Sequence, residues 1–479
     1  MLDALMRAWA GRVRGTLGAV VLVALAAAPR ADAADGLVWR AAERRVDADL
    51  RGWPLARVLD AIVAATGWQV FVEPGVEYTV TAKFEGLKPA DALIRLFGDL
   101  NFAVIPRPAG PAAAPTRLLV YRRSPSDATA EVRAARRGRD AKPTPIPDEL
   151  VVSLKRGAKG DADALAKRVG GTIVGRLDGA RAYRLRFDDE AAARRARAAL
   201  ANEGDVEAIE ANFAIAPPMT LEPLPPIGSL PAAVLTPDVS PSKDAVLVGL
   251  IDYAVQADAK SLEGFLQPGV ALLGEWQPPG DRITHGTAMA QTILEGVSQA
   301  LRERGDGSGR VPLSILPIDV YGDAERTTTF DVARGIAEAL ERHVNVVNLS
   351  LSSDTDSPLV RNLVADAARK GVLVFGAAGN EPLDVPTYPA AYPSTIAVTA
   401  SDGEGGIAPW ANHGAFVDAI APGTSVFQFA DRSWLGTGTS VSAGWVSGWA
   451  AGHMASGGRA PSPVVKEATI QRWGPSPKR

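Results

Sequence analysis

The stretch Gly436–Gly448 reads G-T-G-T-S-V-S-A-G-W-V-S-G and sets one hydroxyl, Ser440, in a run of small residues ahead of an Ala/Gly-rich apolar segment. Small neighbours let another backbone approach the hydroxyl. A helix beginning here would aim its unpaired N–H groups at a reacting carbonyl. A serine hydroxyl is a weak nucleophile at neutral pH and needs an adjacent base. One of the chain's four histidines, His285, stands in T-H-G-T with a helical stretch behind it. Val246–Asp252, V-L-V-G-L-I-D, reads as a buried strand ending on a carboxylate, and Val372–Asn380, V-L-V-F-G-A-A-G-N, as another that delivers a carboxamide. Hydroxyl, imidazole and carboxylate together are the groups of nucleophilic acyl transfer.

Asp252, His285, Asn380 and Ser440, in that chain order and at the ends of different elements, resemble the subtilisin-like serine peptidases. The resemblance implies that Ser440 is the nucleophile and that His285 is general base, then general acid for the leaving amine. It implies that Asp252 orients the imidazole and that Asn380, with the Ser440 backbone N–H, forms the oxyanion hole. Asn348–Ser353, N-L-S-L-S-S, aligns with the family's substrate-pairing edge strand, which makes Ser350, Leu351 and Ser352 substrate-binding candidates. Several positions depart from the family pattern. Tyr253-Ala254 follow the acid where Ser or Thr and Gly are usual, and Ala288 follows the histidine motif. Val441, Ser442, Gly444 and Trp445 stand where the serine motif usually has Met, Ala, Pro and His. None deletes a catalytic group, yet together they keep open a catalytically weak or inactive binding or scaffold protein as the alternative.

The elements that must position these groups occupy residues 243–470. Apolar runs at Val246–Ile251, Ala271–Leu273, Val311–Ile318, Val344–Leu349, Val372–Phe375 and Thr395–Val398 alternate with helical stretches at Gly286–Gln299, Phe330–Glu341 and Leu359–Lys370. Runs apolar on both sides predict an α/β fold: a subtilisin-like parallel sheet with helices on both faces. Ligands then gather at the carboxyl ends of strands, where Asp252 and Asn380 fall.

At 479 residues the chain has room for roughly two to four domains. A net charge of -3 gives no electrostatic support for nucleic-acid binding. The absence of cysteine excludes disulfides and thiolate chemistry, and the four histidines show no H-E-x-x-H spacing, so no metal site is assigned. No cofactor is expected. Calcium enters only through the resemblance, and no D-x-[DN]-x-[DN]-G loop is present; Asp319, Asp323, Asp354, Asp356 and Asp384 read first as loop residues.

Ahead of the catalytic segment, two small α+β domains are expected. Residues 1–33 combine arginines, the uncharged run Thr16–Ala28 and small residues around Ala31–Ala33, which reads as a signal peptide and implies a periplasmic or secreted protein. The run is too short to span a bilayer, so membrane attachment requires an uncleaved signal. Residues 34–122 show a helix-strand-strand-helix-strand-strand pattern that resembles the short N-terminal domain of secretins and TonB-dependent receptors, which implies an envelope or periplasmic protein partner. A basic linker at 123–148 follows. Residues 149–216 show β-α-β-β-α-β order, a ferredoxin-like unit that resembles the family's inhibitor-type propeptide. The implied partners are thus a polypeptide substrate and the chain's own pro-domain, with the protein made as a zymogen. A Pro-rich linker at 217–242 leads into the catalytic segment, and a short tail at 471–479 closes the chain.

Overall fold

In the computed structural model of this protein, residues 36–40, 45–73, 76–105, 116–124, 130–132, 145–158, 160–215, 221–224, 235–238 and 245–475 are described, apart from 276, 279, 307, 325, 404–405 and 457–459. The expected signal segment, most of both linkers and residues 476–479 of the tail lie outside the described residues. The chain divides into two units, Met1–Ala134 and Ala135–Arg479.

The first unit runs β1 (Gly36–Arg40), β2 (Arg45–Pro54), α1 (Leu55–Thr66), β3 (Gln69–Val72), β4 (Thr79–Leu87), α2 (Pro89–Phe97), β5 (Asn101–Ile105), β6 (Arg117–Tyr121) and β7 (Ala130–Val132). Its strands form two sheets, β1-β2-β4 and β5-β6-β3-β7. Both helices bury an apolar stripe, Val58, Leu59 and Ile62 from α1 and Leu93, Leu96 and Phe97 from α2. Gly67, at φ 66°, ends α1 in the left-handed conformation. The unit differs from the helix-first expectation because two strands precede α1. In β2 the apolar Val46, Ala48 and Leu50 alternate with charged residues and point inward, a period-two signal among arginines and aspartates. β7 pairs antiparallel with β3 and belongs to this unit, although it falls in the stretch expected as linker.

The second unit opens with β8 (Pro145–Leu154), α3 (Ala162–Arg168), β9 (Thr172–Leu177), β10 (Ala182–Arg186), α4 (Glu190–Leu200) and β11 (Val206–Ile215). These strands pair antiparallel in the order β11-β8-β10-β9, the ferredoxin-like arrangement. Asp161 and Asp189 cap the two helices, each accepting from a backbone N–H of the first turn. The first strand begins at Pro145, ahead of the expected Glu149.

The remaining elements are β12 (Leu221–Pro223), β13 (Thr236–Pro237), β14 (Val246–Asp252), β15 (Val270–Ala271), α5 (His285–Glu303), β16 (Arg310–Val311), β17 (Leu313–Asp319), β18 (Thr327–Thr328), α6 (Thr329–Glu341), β19 (Val346–Leu349), α7 (Pro358–Arg369), β20 (Leu373–Ala377), β21 (Thr395–Ser401), β22 (Ala419–Pro422), β23 (Thr424–Phe429), β24 (Arg432–Thr437), α8 (Thr439–Ala455) and α9 (Ser462–Trp473). A seven-stranded sheet, β15-β17-β14-β19-β20-β21-β22, is parallel at every pairing. Alternation along β14 serves two cores. Val246, Val248 and Leu250 meet α5 and α8 on one face, while Ile251 meets α6 and α7 on the other. The hairpin β23–β24 has no counterpart among the expected strands and runs directly into Gly438, the N-cap of α8.

The small β8–β11 sheet docks on α6 and α7 through their N-termini. β11 extends onto β18, pairing Ala214 with Thr328 and Ile215 with Thr327. Asn212, fully buried, accepts from the Phe330 N–H at 3.2 Å and the Thr329 hydroxyl at 3.0 Å. Glu210 accepts from the Leu359 N–H at 3.2 Å, so it caps α7 from outside the helix. Arg184 reaches the buried Asp331 at 3.0 Å. Burial raises the Glu210 carboxyl above its usual range, opposed by its bonds from Ser357 and Leu359.

Candidate active site

Asp252 is the last residue of β14 and lies at the carboxyl edge of the parallel sheet, 2% exposed. His285 is the first residue of α5. Thr284 caps that helix: its hydroxyl accepts from the Thr287 N–H at 3.1 Å and donates to the Ala254 carbonyl at 2.7 Å. Gln256 locks the same turn. Its side-chain oxygen accepts from the Thr284 N–H at 2.9 Å and its amide donates to the Arg282 carbonyl at 2.9 Å. With the helix start fixed in this way, His285 Nδ1 lies 2.7 Å from Asp252 Oδ1. That oxygen also accepts from the Tyr253 N–H at 2.7 Å, while Oδ2 is buried without a hydrogen-bond partner. The Nδ1 contact selects the tautomer with Nδ1 protonated and leaves Nε2 as the basic nitrogen. Nε2 is itself buried and has no hydrogen-bond partner.

Ser440, fully buried, is the second residue of α8 and has its backbone N–H among the unpaired donors of the first turn. Its hydroxyl does not bond to His285 in this state. It donates to the Ser350 carbonyl at 3.1 Å, and the Ser350 hydroxyl donates back to the Ser440 carbonyl at 3.1 Å. The expected base–nucleophile bond is therefore unmade in this state, although a serine hydroxyl can swing between staggered wells about one bond. Asn348 supports the pair by donating to the Ser350 hydroxyl at 2.9 Å and accepting from the Ser447 hydroxyl of α8 at 3.1 Å.

Asn380 lies beyond the carboxyl end of β20. Its carboxamide oxygen accepts from the Thr439 N–H at 2.7 Å and the Thr439 hydroxyl at 3.1 Å. That commits the oxygen to the start of α8 and makes the nitrogen the end of the group that can donate toward substrate. Thr439 also accepts from the Gly379 N–H at 3.0 Å, tying the β20 loop to the helix that carries Ser440.

Of the substrate-binding candidates, Ser350, Leu351 and Ser352 leave the carboxyl end of β19, which is an interior strand flanked by β14 and β20. Ser350 and Leu351 are buried and Ser352 is half-buried. The expected edge strand is thus a short extension past the sheet, pinned at Ser353 by paired backbone bonds to Tyr388 at 2.8 Å. Sequence reasoning overlooked Thr284, Gln256 and Thr439. The Thr284–Thr287 spacing ahead of an apolar helix carried a cap signal for the first; Gln256 and Thr439 act through partners far along the chain.

Among the described residues no group of three His, Asp or Glu side chains is gathered to hold a metal. Asp319 is committed to the Tyr321 and Gly322 N–H groups, both at 2.9 Å, and Asp356 pairs with Arg361.

A buried Asp–His pair and a helix-borne serine at the carboxyl edge of a parallel α/β sheet define a protein with the layout of a serine hydrolase. A Subtilase family model matches residues 243–472, and a Fervidolysin N-terminal prodomain model matches residues 133–212. Thermitase of Thermoactinomyces vulgaris is 30% identical over 221 residues, which is 45% of this chain and 77% of thermitase. Subtilisin of Bacillus pumilus is 30% identical over 213 residues, 43% of this chain and 75% of that protein. The thermophilic serine proteinase of Bacillus sp. (strain AK1) is 30% identical over 224 residues, and there the match spans 55% of the relative. The chain belongs to the subtilase family, and its N-terminal prodomain is related to that of fervidolysin. The solved structure of fervidolysin from Fervidobacterium pennivorans, a keratinolytic enzyme related to subtilisin, superimposes with a TM-score of 0.54 at 19% identity, covering 69% of this chain and 57% of that one, a likeness of fold. Neither family match reaches residues 34–122, so the resemblance to secretin and TonB-receptor domains stays an expectation.

Proposed function

We propose that this protein is a serine endopeptidase that cleaves polypeptides through an acyl-enzyme, made as a zymogen whose prodomain spans the β8–β11 sheet. The observation that carries the reading is the 2.7 Å bond between His285 Nδ1 and Asp252, with Nε2 left unpaired. Rotation of the Ser440 hydroxyl from the Ser350 carbonyl to Nε2 completes the base–nucleophile pair. His285 then takes the hydroxyl proton as Oγ attacks the peptide carbonyl, and Asp252 holds the imidazolium that forms. The Ser440 N–H and the Asn380 carboxamide N–H receive the oxyanion. His285 returns the proton to the leaving amine, and water releases the acyl group by the same steps. Ser350, Leu351 and Ser352 offer backbone groups to extended substrate.

The caps that Glu210 and Asn212 place on α7 and α6 support the zymogen reading, because they hold the small sheet on the catalytic domain's own helices. Residues 1–33 act as an export signal, the protein works in the periplasm or outside the cell, and residues 34–122 bind an envelope protein as the secretin-like short domains do. A second reading, a non-hydrolytic binding protein, is favoured by one observation, the Ser440 bond to Ser350 in place of His285. Intact-mass analysis of wild type beside Ser440→Ala separates them. The enzyme reading expects a shortened wild-type chain and a full-length variant, and two chains of equal length refute self-processing.

A further inference from the structure

We infer that Tyr321 is a positioning residue for the Asp252–His285 pair, acting through its ring on Tyr253. This rests on the acyl-transfer reading above. Tyr253 is the hinge of the site. Its N–H donates to Asp252 Oδ1, the same oxygen that faces His285 Nδ1. Its carbonyl lies against Gly286, so closely that a Cβ there would come within 2.9 Å of the Tyr253 carbonyl carbon. One residue thus touches both the acid and the helix turn that carries the base. The ring of Tyr253 is gripped by Tyr321, just past the end of β17: the two rings stack with centroids 3.9 Å apart and planes 14° from parallel.

Tyr321 is itself held rigidly. Asp319 accepts from the Tyr321 and Gly322 N–H groups, and Val320 donates to the Asp252 carbonyl at 3.0 Å. β14 and β17 are paired in register up to Asp252 and Asp319, so the stack continues the sheet's alignment past its last backbone bonds. The Tyr321 ring is 1% exposed and its hydroxyl is buried without a partner, so the ring rather than the hydroxyl makes the contacts. The titratable groups that face it are Asp252, Tyr253 and Asp319. Burial first, and the Asp252 charge next, raise the Tyr321 phenol well above its usual range, so it stays neutral beside the acid. A small residue after the acid, as is usual in the family, offers no ring to stack; this chain replaces that arrangement with two aromatics that clamp the turn.

The test compares Tyr321→Leu, which removes the stack and keeps apolar bulk, with Tyr321→Phe, which keeps the ring, in the full chain. Rates are expressed per site titrated with a fluorophosphonate. Tyr321→Leu is expected to lower kcat on the order of 10- to 100-fold, the cost of a small misplacement of reacting groups, with KM within about twofold of wild type. Tyr321→Phe recovers most of that loss. The far-downfield proton signal of the His285 Nδ1–H bonded to Asp252 is expected to persist in Tyr321→Phe and to shift upfield or vanish in Tyr321→Leu. A role in packing alone lowers the melting temperature and leaves that signal in place. Tyr253→Leu deletes the same stack from its half-buried side and must give the same result, which keeps the test open if Tyr321→Leu does not fold. Wild-type kcat and an unchanged signal in Tyr321→Leu, or an equal loss in Tyr321→Phe, overturn the inference. A wild type that never reacts with the fluorophosphonate overturns the acyl-transfer reading instead, and the proton signal still reports on the stack.

Discussion

The helix that carries Ser440 crosses the helix that carries His285 at glycines, and this makes Gly448→Ala an informative perturbation. A Cβ on Gly448 would come within 2.7 Å of the Ile293 carbonyl carbon, a backbone atom in the middle of α5 that cannot step aside alone. Gly296 faces the other way across the same seam, where a Cβ would meet the Trp449 nitrogen at 2.8 Å. Relief therefore requires α5 and α8 to separate. Overpacking of a filled core costs ~1–3 kcal/mol, and contact with rigid backbone belongs at the upper end. Alanine returns about 1 kcal/mol through its better helix propensity. The net is a loss of roughly 2 kcal/mol, or about 4–8 °C in melting temperature for a domain of this size. Gly444→Ala is the internal control. Its Cβ meets the Thr292 side chain at 3.2 Å and the Met289 carbonyl oxygen at an ordinary 3.7 Å, so the helix gain nearly offsets the crowding. Thermal unfolding of both variants in a Ser440→Ala background, which prevents self-digestion, gives the comparison. Gly448→Ala as stable as Gly444→Ala would show that the helix seam does not depend on backbone contact and would refute the reasoning.

Asp252→Asn keeps the shape of the site and removes the charge that holds the imidazolium, so kcat should fall on the order of 10⁴-fold with the fold intact by circular dichroism. Asn380→Ala should lower kcat by about 10²–10³-fold with little change in KM; loss of one such donor costs about 2.7–4 kcal/mol in subtilisin itself, the type case for this measurement. Glu210 titrates with the docked sheet. Burial raises its carboxyl in the docked state, so its contribution to docking is full below the ordinary glutamate range near ~4.3 and fades as pH rises through the raised value. Glu210→Gln should therefore flatten the pH dependence of protease resistance of the β8–β11 segment between mildly acidic and neutral pH, and an unchanged profile counts against the cap.

Asp252, His285 and Ser440 were legible as candidates because each stands in a local signal: a strand of Val, Leu and Ile closed by Asp252, small residues around His285, and a Gly/Thr/Ser run before an apolar helix at Ser440. The β-α-β-β-α-β unit was legible for the same reason, since the periodicity of its strands and helices is read within one element at a time. What escaped was either disguised or non-local. β2 hid its alternation among charges, and β23–β24 hid beside the serine motif. The Tyr253–Tyr321 stack and the Gln256 lock depend on strands and turns brought together only by the fold. The bond from the Ser440 hydroxyl to the Ser350 carbonyl leaves no trace in residue order at all.

The central claim is that Ser440 is a nucleophile served by His285 and Asp252. Treatment of the prodomain-released protein with a fluorophosphonate, followed by peptide mapping, tests it most directly. The account predicts a single adduct on Ser440, absent in Ser440→Ala and His285→Ala and formed far more slowly in Asp252→Asn. A protein that is folded and freed of its prodomain yet unlabelled, or labelled at another serine, contradicts it.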